Sequence, residues 1–95
     1  MDAAIAGALV LGICEPQMTG IGGDLFALVS PAGSDRVHAY NGSGRAPAAA
    51  NAANLREKGH ATVHLQSPDA VTVPTAMHAF AAMNENGANL DLTRF

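Results

Sequence analysis

Glu15-Pro16-Gln17-Met18-Thr19-Gly20-Ile21-Gly22-Gly23-Asp24-Leu25-Phe26-Ala27-Leu28-Val29-Ser30 is the stretch on which the fold turns. It leaves an apolar helix, breaks at Pro16, crosses a glycine-rich turn and enters an apolar run. Gly20, Gly22 and Gly23 lack a Cβ, so this turn can reverse tightly or let another group approach closely. Two phosphate loops are excluded by context. A P-loop needs Gly-Lys-Ser/Thr, and no lysine follows these glycines. A dinucleotide fingerprint follows a strand and opens a helix, whereas this turn follows a helix and opens a strand.

Upstream, Asp2 to Ile13 reads as a helix with Asp2 as its N-cap. Ile5, Leu9 and Ile13 form one stripe, and Val10, Leu11 and the alanines make the other faces apolar too. A helix of that kind is covered on every side when it is in place. Downstream, Leu25 to Ser30 has the apolar continuity of a central strand. Pro31 to Asp35 is dense in turn residues, and Arg36 to Tyr40 alternates polar and apolar. Together they predict a β-hairpin. Asn41 to Pro47 (Asn-Gly-Ser-Gly-Arg-Ala-Pro) is a second glycine-rich loop. Ala48 to Lys58 is helix-permissive, with Gly59 as its C-terminal cap. After a polar connection, Ala70 to Val73 reads as a short strand. Pro74 and Thr75 then open a helix to about Asn86, with Met77, Phe80, Ala81 and Asn84 on its apolar spacing and Gly87 at its end. Leu90 to Phe95 reads as the opening of a further element.

Ninety-five residues suffice for one small domain. Hydrophobic residues make up 48% of the chain, but aromatics only 4%, and alanine supplies much of the apolar count. Alanine buries little area, and burial stabilises by roughly 25 cal/mol per Å². The core is therefore expected to be thin, and the chain to be a piece of something larger. The formal charge of −3 and the scattered lysines and arginines exclude a nucleic-acid footprint and a basic membrane patch. The apolar run from Ala3 to Ile13 lacks a basic lead-in and is shorter than the about 20 residues of a membrane span. These absences lean towards a cytoplasmic chain, with its compartment otherwise unassigned. One cysteine, Cys14, makes no internal disulfide and reads as a small core residue.

Few residues carry chemistry on their own. His60 and His64 have zinc-ligand spacing only on a helix, and Gly59, Thr62 and Val63 oppose one, so no metal site is assigned. His38 and His78 read as surface or boundary residues. Ser43 lacks the Gly-x-Ser-x-Gly elbow, because Asn41 and Arg45 flank it. Arg45, in a glycine loop just past a strand, can present its planar fork to a carboxylate or simply bond loop carbonyls.

The Asp2-Ala-Ala-Ile-Ala helix, the Glu15–Phe26 stretch, the Asn41–Pro47 loop and the Ala70-Val-Thr-Val-Pro74 segment together resemble the gamma-glutamyltransferase (gamma-glutamyltranspeptidase) family. The resemblance covers nearly the whole chain in order. It implies an α/β fold, part of an N-terminal-nucleophile hydrolase αββα sandwich, and places residues 1–95 early in the large subunit. It also implies a precursor that cleaves itself, and a new N-terminal threonine that attacks a γ-glutamyl carbonyl with its own amine as base. The acyl-enzyme then passes to water or to an acceptor amine, and no cofactor is implied. None of Thr19, Thr62, Thr72, Thr75 or Thr93 matches that nucleophile, so the chain alone is expected to be inactive. Its partners would be the remainder of the large subunit, the catalytic small subunit and a γ-glutamyl or related acyl amide.

The substrate loop departs from the family pattern. The family's carboxylate-holding arginine falls three residues before Ala46-Pro47, where this chain has Ser43, and the arginine stands at Arg45. The departure resembles a divergent, cephalosporin-acylase-like branch. Either Arg45 reaches the same carboxylate from a shifted register, or the acyl group differs, as in a glutaryl acylase. A third reading is a free-standing, non-catalytic α/β module.

Overall fold

The structure, a computed structural model, describes residues 1–87. The expected element at Leu90–Phe95 lies outside them. Helix α1 (Asp2–Cys14), strands β1 (Leu25–Val29) and β2 (His38–Gly42), helix α2 (Ala52–Glu57), a 3₁₀ turn (Pro68–Ala70) and helix α3 (Ala76–Glu85) follow in order. The strands form a two-stranded antiparallel sheet, and α1 and α3 lie on one of its faces. This is a small α/β arrangement of one helical layer on one hairpin.

The hairpin register sets that layer. Leu25 pairs with Gly42, Ala27 with Tyr40 and Val29 with His38. Leu25, Ala27, Val29 and Tyr40 turn inward onto a cluster of Ile5, Phe80 and Met83. Phe26 and Leu28, pointing the other way along the strand, are 68% and 77% exposed. The second strand thus runs two residues beyond the expected Arg36–Tyr40, into the glycine loop. Gly42 explains the extension: a Cβ there would lie 2.6 Å from the Cβ of Ala79, so its absence lets α3 sit against the strand end.

Helix α1 has Met1 at its N-cap position, and Asp2 lies in the first turn rather than capping it. Its charge there still complements the helix dipole. Ile5 is wholly buried, with Ala8 and Leu9 packed against the cluster. Val10, Leu11 and Ile13 remain exposed, so the described residues cover one face of an all-apolar helix. Cys14 is exposed, not a core residue. Nine residues beyond Ile5, at about 100° per residue, it falls on the opposite side of the helix.

Helix α2 starts later than its alanine run permits. Asn51 decides the start: its side-chain oxygen accepts from the amides of Ala53 (2.9 Å) and Asn54 (3.4 Å). Gly59 closes the helix in the left-handed region (φ 83°), with Gly59 N–H donating to Arg56 O and His60 N–H to Leu55 O. That pair of bonds is a Schellman motif, with Gly59 as the C-terminal cap expected from the sequence.

The expected strand at Ala70–Val73 is instead a 3₁₀ turn followed by extended chain. A backbone bond, Val73 N–H to Arg45 O at 2.9 Å, ties it to the loop after β2. Helix α3 buries Ala76, Ala79, Phe80 and Met83, one position round from the expected Met77–Phe80–Ala81–Asn84 stripe. Ala79 facing Gly42 and Phe80 facing Ile5 fix that rotation; Met77 and Ala81 are exposed.

Candidate functional site

A cleft of about 620 Å³ opens where β2, the loop after it and α3 meet. The loop contributes Ser43, Arg45 and Ala46, the strand Tyr40 and Asn41, and α3 His78, Ala79 and Ala82. Ser43 and Arg45, the two substrate-side residues expected from the sequence, are thus brought to one cavity. Arg45 and His78 are its basic side chains, and no Asp or Glu is among its described lining residues. A cleft so lined favours an anion.

The loop that carries Arg45 is held from three directions. The Asn41 side-chain oxygen accepts the Ser43 amide at 3.0 Å, a local Asx-type bond. Asp24 Oδ1 accepts the Gly44 amide at 3.0 Å and the Thr72 hydroxyl at 3.2 Å. The Thr75 hydroxyl donates to the Gly42 carbonyl, and Val73 N–H to the Arg45 carbonyl. The Thr75 and Ala76 amides, at the start of α3, donate to Gly23 O at 3.3 and 3.1 Å.

Gly44 is the tightest point. A Cβ there would run into the Val73 carbonyl oxygen and come within 2.9 Å of the Thr72 hydroxyl. Gly20, Gly22 and Gly23 lie in the turn before β1, outside this cleft, with negative φ and, among the described residues, nothing tighter than ordinary van der Waals contact where a Cβ would stand. The close approaches occur instead at Gly42 and Gly44. The roles of Thr75, Asn41, Asp24 and His78 around the cleft were not singled out by sequence reasoning. The signal for Asp24 was a carboxylate closing a glycine run; for Thr75, a hydroxyl at a helix start.

The histidine pair carries no metal geometry. His60 and His64 fall in non-helical chain, and the His64 Nδ1 accepts the Gln66 amide at 3.2 Å. Among the described residues no group of three or more His, Cys, Asp or Glu is gathered. Nor is any described helix long and apolar enough to cross a membrane.

The family model for gamma-glutamyltranspeptidase matches residues 1–95, the whole chain. The chain belongs to the gamma-glutamyltranspeptidase family. A curated relative, the glutathione hydrolase-like YwrD proenzyme of Bacillus subtilis (strain 168), is 36% identical over 92 residues. That match takes in 96% of this chain and 17% of the relative. The resemblance read from the apolar helix, Pro16, glycine turn and strand therefore holds at the level of the family. In this gamma-glutamyltranspeptidase stretch those elements build the α1–β1 corner, on which the cleft of Ser43 and Arg45 rests.

Proposed function

We propose that this chain is a stretch of the large subunit of a gamma-glutamyltranspeptidase or glutathione hydrolase-like enzyme and forms the acyl-side wall of its active site. The observation that carries the reading is the joint placement of Ser43 and Arg45 in one cleft whose described lining has no carboxylate. Arg45 takes the carboxylate of the acyl group with its planar fork. The Ser43 hydroxyl is the neutral neighbour that completes the anion site. The nucleophile is an N-terminal threonine outside this chain, released by self-cleavage of a precursor, with its own amine as base. The acyl-enzyme it forms is resolved by water or an acceptor amine.

The exposed outer face of the hairpin, with Phe26 and Leu28, and the uncovered side of α1 support a larger assembly around these residues. In the proposed αββα sandwich, a second sheet covers Phe26 and Leu28. By itself the chain supplies binding groups and no nucleophile, and is inactive.

One observation favours a related acylase. γ-Glutamyl and glutaryl groups both carry a carboxylate at the far end of the same carbon chain, but only the former also carries an ammonium. The described cleft lining offers no acidic group to receive that ammonium. A glutaryl-type amide satisfies these residues as well as a γ-glutamyl amide does.

The test is Arg45→Ala in the full-length enzyme, assayed with γ-glutamyl and glutaryl anilides. Losing a charge-assisted bond of about 1.5–3 kcal/mol raises KM for the true donor roughly 10- to 150-fold. An unchanged KM for both donors removes Arg45 from the site. The ratio of kcat/KM for the two donors in the wild type decides between the two readings.

A further inference from the structure

The loop that presents Ser43 and Arg45 does not hold its shape alone. Between Gly42 and Pro47 it has no ladder partner among the described residues, and its sharpest constraint comes from far away in sequence. Asp24, immediately before β1, lies 20 residues from Gly44 and 48 from Thr72. One of its carboxylate oxygens accepts from both: the Gly44 amide at 3.0 Å and the Thr72 hydroxyl at 3.2 Å.

We infer that Asp24 is a positioning residue for acyl-group recognition, clamping the Gly44 peptide so that the Ser43–Arg45 stretch faces the cleft. This rests on the reading of Arg45 as the carboxylate ligand. Three observations carry it. First, Asp24 joins the two strands of chain that flank the cleft floor, because Thr72 leads directly into Val73, whose amide holds the Arg45 carbonyl. Second, the adjacent residue reinforces the same junction, since Gly23 O accepts the first amides of α3. The turn before β1 thereby holds both the loop and the helix that carries His78. Third, the Gly44 backbone meets Val73 so closely that no side chain fits between them. The loop is wedged against the 72–73 segment, and Asp24 is the acceptor that bridges the wedge.

Asp24 is exposed, as are both hydrogen bonds it accepts. Solvent competes for such bonds, so their contribution to global stability is small. Their effect is on where the Gly44 peptide points. A carboxylate suits the task because it only accepts, and one oxygen can take two donors. An asparagine retains an equivalent oxygen, and an alanine retains none.

The experiment uses the full-length enzyme and compares Asp24→Ala, Asp24→Asn, Arg45→Ala and the Asp24→Ala/Arg45→Ala double variant. KM and kcat are measured for the preferred acyl donor. Asp24→Ala is expected to raise KM about fivefold with little change in kcat, in line with loss of a hydrogen-bonded clamp. Asp24→Asn is expected to stay within about twofold of wild type. In the Arg45→Ala background, Asp24→Ala is expected to add nothing, because the loop then has no ligand to place. An unchanged KM in Asp24→Ala, alongside a raised KM in Arg45→Ala, overturns the inference and leaves the Arg45 reading standing. An equal KM increase from Asp24→Ala in both backgrounds also overturns it, since that is the mark of a general structural role. An unchanged KM in Arg45→Ala fells both. Where Asp24→Ala yields no soluble enzyme, Thr72→Val removes one of the two donors and is expected to raise KM about twofold; no change there overturns the clamp.

Discussion

Replacing Gly44 by alanine tests the central claim about this loop, that the chain is wedged there by backbone rather than by side chains. The added Cβ meets the Val73 carbonyl oxygen and comes within 2.9 and 3.0 Å of the Thr72 Oγ1 and Cβ. The first obstacle is main chain and cannot rotate away. Overpacking at a rigid contact costs about 1–3 kcal/mol. Relief by moving the loop breaks Val73 N–H···O=C Arg45 and Gly44 N–H···Oδ1 Asp24. Such bonds contribute about 0.5–1.5 kcal/mol each, at the lower end where water competes for them. Both routes lead to a loss of about 1–3 kcal/mol, large against a total stability of about 5–15 kcal/mol. Gly20→Ala is the internal control. Gly20 has a negative φ and nothing within 4 Å of an added Cβ. Alanine there is expected to be neutral or to stabilise by about 0.4–1 kcal/mol through the unfolded chain. Urea denaturation of the full-length enzyme, followed by circular dichroism, measures both. Equal midpoints for the two variants would refute the wedge, and with it the account of why a glycine stands at position 44.

Phe80→Ala empties the centre of the cluster formed with Ile5 and Met83 and is expected to cost about 3 kcal/mol or more, read from the same urea midpoints. Asn51→Ala removes the acceptor of two α2 amides and is expected to cost about 1 kcal/mol, whereas Asn51→Asp keeps the cap; thermal melts of the pair check this. Gly59→Ala forces a Cβ into the left-handed region at φ 83° and is expected to cost about 1–2 kcal/mol in the same assay. The isolated 95-residue chain is expected to bind an apolar dye strongly and to melt broadly, because Ile13, Phe26 and Leu28 stand exposed. A sharp two-state transition without dye binding would instead support the free-standing module. Phe26→Ser/Leu28→Ser should reduce the dye signal if the outer face of the hairpin is its source.

The helices, the hairpin, the glycine cap at Gly59 and the family signature were all legible in the sequence, because each rests on local chemistry. Apolar continuity marks β1, Pro16 ends α1, and a glycine past an alanine-rich run marks a helix stop wherever it occurs. That Ser43 and Arg45 line one cleft was readable too, since a loop of seven residues keeps them close in any fold. Registers and rotations belonged to the tertiary structure. The second strand lies at His38–Gly42 and not Arg36–Tyr40 because α3 needs the missing Cβ of Gly42 to approach the sheet. The buried stripe of α3 is Ala76–Ala79–Phe80–Met83 because Ala79 meets that glycine and Phe80 meets Ile5. Cys14, apolar by composition, is exposed because the helix period carries it to the far side from Ile5. Most of all, Asp24 reads in sequence as the end of a glycine turn. Only folding, by bringing residues 20 and 48 positions away to one carboxylate oxygen, makes it the hinge pin of the cleft. Local pattern sets which residues form an element; which face it buries, and which distant partner it meets, depends on packing against the rest of the chain.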